Sequence, residues 1–280
     1  MATLQANGVE LFYEQEGKGE RVVLTHGAWS DGSAWQAVTP HLVDGFEVMT
    51  WDRRGHSRSG PGDEPGSVRE DAVDLAALIE ALGADPAHVV GNSAGGAVVL
   101  NLMTMRPDLV RTAAVHEPGP MGLAAESGDP HLVQVVEQDK LHTDEVVRLI
   151  AAGEARPAAQ YFVENVALGP GMWDQFPDEL KATMETNAFT VTDDIRDGWD
   201  IDSVDIAALA ASSVPLLIST GSESPELEKG AAHELARRLP AAQLETLTGA
   251  GHIPHRTHPD NYAAKLIGFM EGTSIKWSHP

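Results

Sequence analysis

The sequence predicts an α/β protein in which a mostly parallel sheet is covered by helices on both faces and the core is interrupted by a helical insertion. Three observations carry this prediction. Short, apolar, β-branched runs alternate with helix-period segments from Val9 to Val115. No convincing strand pattern occurs from about residue 118 to 212. The alternation of strand and helix then resumes at Val214 and continues to Glu271.

Val9 to Tyr13 alternates apolar and polar residues, and Arg21 to Thr25 and Phe46 to Trp51 are apolar runs closed by turn residues, so all three read as strands. Ser33 to Val43, lying between the last two, has helical spacing. Ser67 to Leu82 is a helix with both ends marked. Ser67 is placed to cap it, Glu70 follows three residues on, and Gly83 closes it. A strand at His88 to Val90, a helix from Ala94 to about Met105 and a strand at Val110 to Val115 continue the pattern. In the insertion, Thr143 to Ala152 and Ala158 to Val166 read as helices. The remaining elements are strands at Val214 to Thr220 and Gln243 to Leu247, and helices from about Pro225 to Leu239 and Pro259 to Glu271. The expected organisation is a core of residues 1–118 and 213–271, a helical cap of residues 119–212 and a C-terminal extension of residues 272–280. The extension ends in Trp277-Ser278-His279-Pro280, which resembles the start of a streptavidin-binding affinity tag, so His279 is set aside as a catalytic candidate.

Forty-two acidic residues against 19 basic ones give a formal charge of -23. Such a surface repels phosphate backbones and anionic lipids, so nucleic-acid and membrane partners are not expected. With no cysteine in the chain, disulfides, thiolate metal sites and cysteine nucleophiles are excluded together. The first residues, MATLQANGVELFYEQEG, lack a basic region followed by an apolar run, and a cytoplasmic protein is the simplest expectation.

Gly91-Asn92-Ser93-Ala94-Gly95 matches G-x-S-x-G where the motif has mechanical meaning, after a strand and before a helix. A serine forced onto that tight turn exposes its hydroxyl beside the backbone N–H groups of a helix N-terminus. Serine is a weak nucleophile until a base removes its proton, so a histidine must reach it from elsewhere in the fold. His252 is the leading candidate, in the flexible Gly249-Ala250-Gly251-His252 segment after the last strand. His255 is assigned to the pocket lining and His258 to the start of the last helix. After the strand ending at Thr25, His26-Gly27-Ala28-Trp29 supplies a turn that faces Ser93. The backbone N–H groups of Ala28 and Ala94 are the expected oxyanion-hole donors.

Taken together, HGAW at residues 26–29, Asp52-Arg53-Arg54-Gly55-His56-Ser57, the Ser93 elbow, the insertion and the GAGH segment at residues 249–252 resemble the α/β-hydrolase superfamily over nearly the whole chain. The resemblance implies an α/β-hydrolase fold with an eight-stranded, mostly parallel sheet and a helical cap inserted after the sixth strand. Two positions depart from the common pattern. Asn92 stands where many members have histidine, and Ser57 stands where a second glycine is frequent. Ser93 excludes the members that work through an alkyl-enzyme ester on aspartate.

The resemblance also implies a triad acid, commonly an aspartate after the strand Val214 to Thr220. The sequence there is Gly221-Ser222-Glu223-Ser224-Pro225-Glu226, without an aspartate. A second location used in the superfamily, the end of the preceding core strand, is occupied by Glu117, which becomes the leading candidate with Glu223 and Glu226 as alternatives. Together with Tyr13-Glu14-Gln15-Glu16-Gly17, this placement of the acid is similar to that of zearalenone-type lactone hydrolases.

Phe162, Met172, Trp173, Phe176, Met184, Phe189 and Trp199 concentrate large apolar side chains in the insertion, where a roof over the crevice would form. Trp29, Trp173, Phe176 and His255 are the expected pocket residues. The expectation is a serine hydrolase that cleaves an ester or lactone of a small, apolar substrate through an acyl-enzyme, with no cofactor or metal. A carbon–carbon bond hydrolase or a cofactor-free perhydrolase on the same fold is the second reading, and a noncatalytic small-ligand receptor the third.

Overall fold

The computed structural model describes residues 1–62, 66–83, 86–199 and 201–272, without the side chains of residues 198, 199 and 201. The tag-like segment lies outside the described residues, as does the side chain of Trp199. Eight strands form one sheet: β1 (Ala2–Ala6), β2 (Val9–Gly17), β3 (Glu20–Thr25), β4 (Phe46–Trp51), β5 (Ala87–Asn92), β6 (Val110–His116), β7 (Leu216–Gly221) and β8 (Gln243–Leu247). Their spatial order is β1-β2-β4-β3-β5-β6-β7-β8. Pairing is antiparallel at β1–β2 and β2–β4 and parallel from β4 to β8.

The helices named below are α1 (Thr39–Leu42), α2 (Val68–Ala81), α3 (Ala94–Met105), α4 (Pro130–Ala151), α5 (Ala155–Phe162), α6 (Met172–Gln175), α7 (Asp178–Asn187), α8 (Val191–Trp199), α9 (Ile206–Ala211), α10 (Glu226–Arg238), α11 (Pro254–Thr257) and α12 (Pro259–Met270). One face of the sheet buries Leu11, Val23, Val89 and Ile218 with residues of α2, α3 and α10 such as Leu75, Leu100 and Leu235. The opposite face buries Val22, Leu24, Val90 and Leu217 against Trp35, Leu42, Tyr262 and Leu266. Alternate residues of β3 therefore serve two separate cores, as a strand covered on both sides requires. The helices between β6 and β7 form the cap, with a third core around Val146, Ala158, Val163, Trp173 and Met184. No helix among the described residues is long and apolar enough to cross a membrane.

Where the elements depart from expectation, a local cause is visible. β1 was not foreseen. It pairs with β2 through Asn7-Gly8, whose φ angles are 47° and 76°, the left-handed pair that a two-residue hairpin needs. The segment Ser33 to Val43 is not one helix but a 3₁₀ turn at Gly32–Trp35 followed by the short α1. Pro40 lies in the first turn of α1, where its missing N–H costs nothing, and it cannot lie in the middle of a longer helix. In the cap, α4 begins at Pro130 instead of Thr143, started by the Asp129 carboxylate accepting from the His131 N–H at 2.8 Å. The Ser67 cap forms as expected, its hydroxyl accepting from the Glu70 N–H at 3.0 Å. The Glu70 carboxylate, however, accepts from Asn7 instead of folding back on Ser67.

Candidate active site

Strand register sets the level at which the site is built. Thr25 lies opposite Gly91, Asn92 opposite His116, and His116 opposite Ser219. The residues that follow these strand ends, Ser93 and Glu117 among them, leave the sheet side by side at its C-terminal edge, where open parallel sheets form their crevices.

Ser93 turns from β5 into α3 with φ 54° and ψ -126°. A non-glycine residue in that region costs about 1–3 kcal/mol and persists only when its surroundings hold it. Here the Ser93 N–H donates to the His116 carbonyl at 3.0 Å, and the Ser93 carbonyl accepts from the Gly96 N–H at 2.8 Å. Gly95 is required by close packing, because a Cβ there would run into the carbonyl oxygens of Thr25 and His26. The turn after β3 is equally near. A Cβ on Gly27 would lie 3.2 Å from the Ser93 Cβ. His26 holds this turn as a structural residue. It donates from Nδ1 to the Gly27 carbonyl at 2.8 Å and accepts the Arg53 N–H at Nε2 at 3.0 Å. Burial, with the neighbouring Arg53 charge, pushes its pKa down to about 3, so the ring is neutral. Among the described residues, neither the Ala28 nor the Ala94 N–H donates to a protein acceptor.

Glu117 is fully buried at the end of β6. A buried carboxylate is tolerated only when its oxygens are hydrogen-bonded, and both are. Oε1 accepts from the Thr220 hydroxyl at 2.7 Å and from the Gly221 N–H at 2.8 Å. Oε2 lies 2.6 Å from His252 Nδ1. Burial alone would raise the Glu117 pKa, but the positive charge that His116 takes up only at acid pH, together with the hydrogen bond and charge of His252, holds it well below the usual carboxylate range. Because an ionised carboxylate only accepts, Nδ1 of His252 carries the proton and Nε2 is left as the basic nitrogen. Burial depresses the His252 pKa, and Glu117, by hydrogen bond and charge, with a smaller contribution from Glu228, raises it above its ordinary value.

The loop bearing His252 is fastened from two sides. Asn92 donates its side-chain amide to the His252 carbonyl at 3.0 Å. His116 donates from Nε2 to the Gly251 carbonyl at 3.2 Å, and its Nδ1 accepts from the Ser219 hydroxyl at 2.9 Å. Burial brings the His116 pKa down to about 4, which keeps this bridging ring neutral. His116, Asn92, Thr220 and Gly221 were not assigned these positioning contacts from the sequence. Polar residues at the ends of otherwise apolar strands were the available signal.

The other two candidate acids are elsewhere. Glu223 is exposed and accepts from the Ser222 hydroxyl at 3.1 Å, and Glu226 is exposed and paired with His131 at 2.7 Å.

Ser93 and His252 front a crevice of two lobes that share Ala28, Phe162 and Ala167. The first lobe is lined further by Trp29, Phe176, Met184, His255 and Arg256. The second runs past Ala94 toward Met121, Asp139 and Glu228. No hydrogen bond joins the Ser93 hydroxyl to His252 among the described residues. Trp29, Phe176 and His255 line the first lobe, His255 packed on Trp35 with ring centroids 4.7 Å apart. Trp173 does not line either lobe. It is buried in the cap's own core, beside Phe176 and under Arg156 and Lys181, because the apolar face of the cap helices needs a large side chain there. Phe189 is exposed on the cap. Among the described residues, no group of three or more His, Asp or Glu side chains is placed to hold a metal ion.

Known proteins share this architecture and sequence. YraK of Bacillus subtilis (strain 168), named an uncharacterized hydrolase, is 30% identical over 170 residues, which is 60% of this chain and 63% of that relative. RutD of Caulobacter sp. (strain K31), whose name proposes a carbamate hydrolase, is 26% identical over 90% of this chain and 91% of its own length. The crystal structure of an α/β hydrolase from Sphaerobacter thermophilus DSM 20745 superimposes with a TM-score of 0.75 at 28% identity, covering 96% of this chain and 99% of that one. The sequence model of the alpha/beta hydrolase family matches residues 22–265, and this chain belongs to that family.

Proposed function

We propose that the protein is a serine hydrolase acting on a carboxylic ester or lactone, with Ser93 as nucleophile, His252 as general base and acid, and Glu117 as the carboxylate that orients the base. The observation that carries this reading is the 2.6 Å contact between Glu117 and His252 Nδ1 at the crevice that Ser93 also lines. In the proposed reaction, Ser93 Oγ bonds to the substrate carbonyl carbon as its proton passes to His252 Nε2. The N–H groups of Ala28 and Ala94 then receive the developing oxyanion, an effect worth about 3 kcal/mol per donor. Cleavage of the acyl–oxygen bond releases the alcohol, which takes the proton from His252. Water, losing a proton to His252, then attacks the acyl-enzyme, and the acid leaves as that proton returns to Ser93. No step requires a cofactor.

The apolar lining from Trp29, Phe162, Phe176 and Met184 favours a small, apolar acyl or alcohol group. A carbamate is the second reading, supported by the relative RutD. It would use the same nucleophile and form a carbamoyl-enzyme. The test is labelling by a fluorophosphonate probe and turnover of short-chain aryl esters, with Ser93→Ala as control. Labelling and turnover that both vanish in Ser93→Ala are expected, whereas an unlabelled and inactive wild-type protein would overturn the assignment and favour a ligand-binding role. Release of carbon dioxide from an aryl carbamate, faster than ester turnover, would favour the second reading.

A further inference from the structure

The second lobe carries acidic side chains to which the proposed ester hydrolysis gives no contact with substrate. Its walls are apolar near Ser93, with Ala97, Met121, Phe162 and Ile195, but Glu228 of α10 and Asp139 of α4 lie on its lining. Glu228 is buried, and its Oε2 has no hydrogen-bond partner among the described residues. It is on the inward face of α10, in phase with Ala231, Ala232 and Leu235, so helix packing holds it there. The half-buried Asp139 carboxylate also lacks a hydrogen-bonding neighbour among the described residues, burial being the one influence on its titration. Asp194, the third acidic residue of the lobe, is already satisfied by a two-pronged contact with Arg53 at 2.7 and 2.8 Å. Among the described residues no lysine or arginine lines this lobe, whereas Arg256 lines the first. A buried acceptor without a donor is costly unless something fills the role.

The geometry points to the second lobe as a subsite for a substrate arm that ends in an ammonium group, with Glu228 and Asp139 as the residues that select it. This rests on the hydrolase reading given above. Burial supports it from another side. It pushes the pKa of both Asp139 and Glu228 up to about 7, so the carboxyl groups are ready to ionise when a cation arrives. An ammonium would then be paired with carboxylates in this lobe, while the same arm in the first lobe would meet the like charge of Arg256.

The test compares aryl alkanoate esters whose acyl chain ends in an ammonium, a hydroxyl or a methyl group, together with a matched set carrying these groups on the alcohol. The expected result is a kcat/KM about tenfold or more higher for the ammonium ester than for its methyl counterpart in at least one set. The ratio should fall to within about threefold of unity in both Glu228→Gln and Asp139→Asn. Taking the ratio within each variant removes general losses of activity, and Asp139→Asn serves if Glu228→Gln does not fold. Equal rates in the wild-type protein, a preference for the hydroxyl ester, or an ammonium preference that survives in either folded variant would overturn the inference and leave the hydrolase reading standing. No turnover of any ester would overturn both.

Discussion

Glu117 leaves β6 with a positive φ of 46°, as Ser93 leaves β5 with one of 54°, and each N–H donates to the neighbouring strand, Glu117 to the Ser219 carbonyl and Ser93 to that of His116. Two adjacent strand ends thus carry a positive φ at the residue that leaves the sheet. Such backbone conformations persist where many contacts over-determine them, and they are common at functional sites.

The first prediction concerns the acid. Glu117→Gln is expected to lower kcat/KM for an aryl ester by about a thousandfold to ten-thousandfold, because the amide stabilises the wrong imidazole tautomer. Glu223→Gln, at an exposed position directed to Ser222, is expected to stay within about threefold of wild type. Steady-state kinetics of the two variants side by side decides which carboxylate serves the base. Near-normal turnover in Glu117→Gln would remove it from the mechanism.

The pH profile follows from the balance at His252. Its base form is the neutral ring, so kcat/KM is expected to rise with pH and to be lost as pH falls through the His252 pKa. Glu117 and Glu228 raise that pKa against the effect of burial, placing the midpoint above the ordinary 6.5. His116 is neutral in this range and contributes no charge. In Glu117→Gln the residual activity should titrate at a lower pH. A midpoint that does not move in the variant would show that Glu117 does not interact with the base.

Close packing behind the elbow gives a stability prediction. Gly95→Ala places a methyl group against the Thr25 and His26 carbonyls, and the backbone there has little room to retreat. A loss of about 1–3 kcal/mol is expected in urea unfolding. Residual activity should also fall, since the displaced elbow carries Ser93. Wild-type stability in this variant would mean that α3 can shift away from β3.

Arg53 ties the core to the cap. Its fully buried guanidinium donates to Asp71 of α2 at 2.9 Å and to both oxygens of Asp194 of α8. Arg53→Met is expected to cost about 3–5 kcal/mol, because it leaves two buried carboxylates without their partner. Chemical denaturation measures the loss. A milder outcome is expected when Asp71→Asn and Asp194→Asn are added to Arg53→Met, since the unpaired charges are then removed.

Much of the site is legible locally. Strand, tight turn and helix around Gly91-Asn92-Ser93-Ala94-Gly95 are written in consecutive residues, as is the capped helix begun by Ser67. Short-range patterns of this kind report on backbone geometry directly. The cap was harder to read. Trp173 and Phe176 are three residues apart and chemically alike, yet one is enclosed in the cap core and the other faces the crevice. Apolar character marks both as buried without saying against what. Glu228 illustrates the converse, a polar residue in phase with the apolar face of α10, which the pattern alone presents as a flaw in the helix.

By itself, then, the sequence determined the alternating α/β architecture, the elbow at Ser93 and the glycine-rich loop that bears His252, because each depends on neighbours within one element. Only the tertiary structure decided which carboxylate lies against that histidine. Glu117 and His252 are separated by 135 residues, and their contact exists because the register of β5, β6 and β7 aligns the strand ends. After β7, where an aspartate was expected, Ser224 stands instead. At the end of β7 itself, the Thr220 hydroxyl and the Gly221 N–H hold the glutamate that arrives from the neighbouring strand.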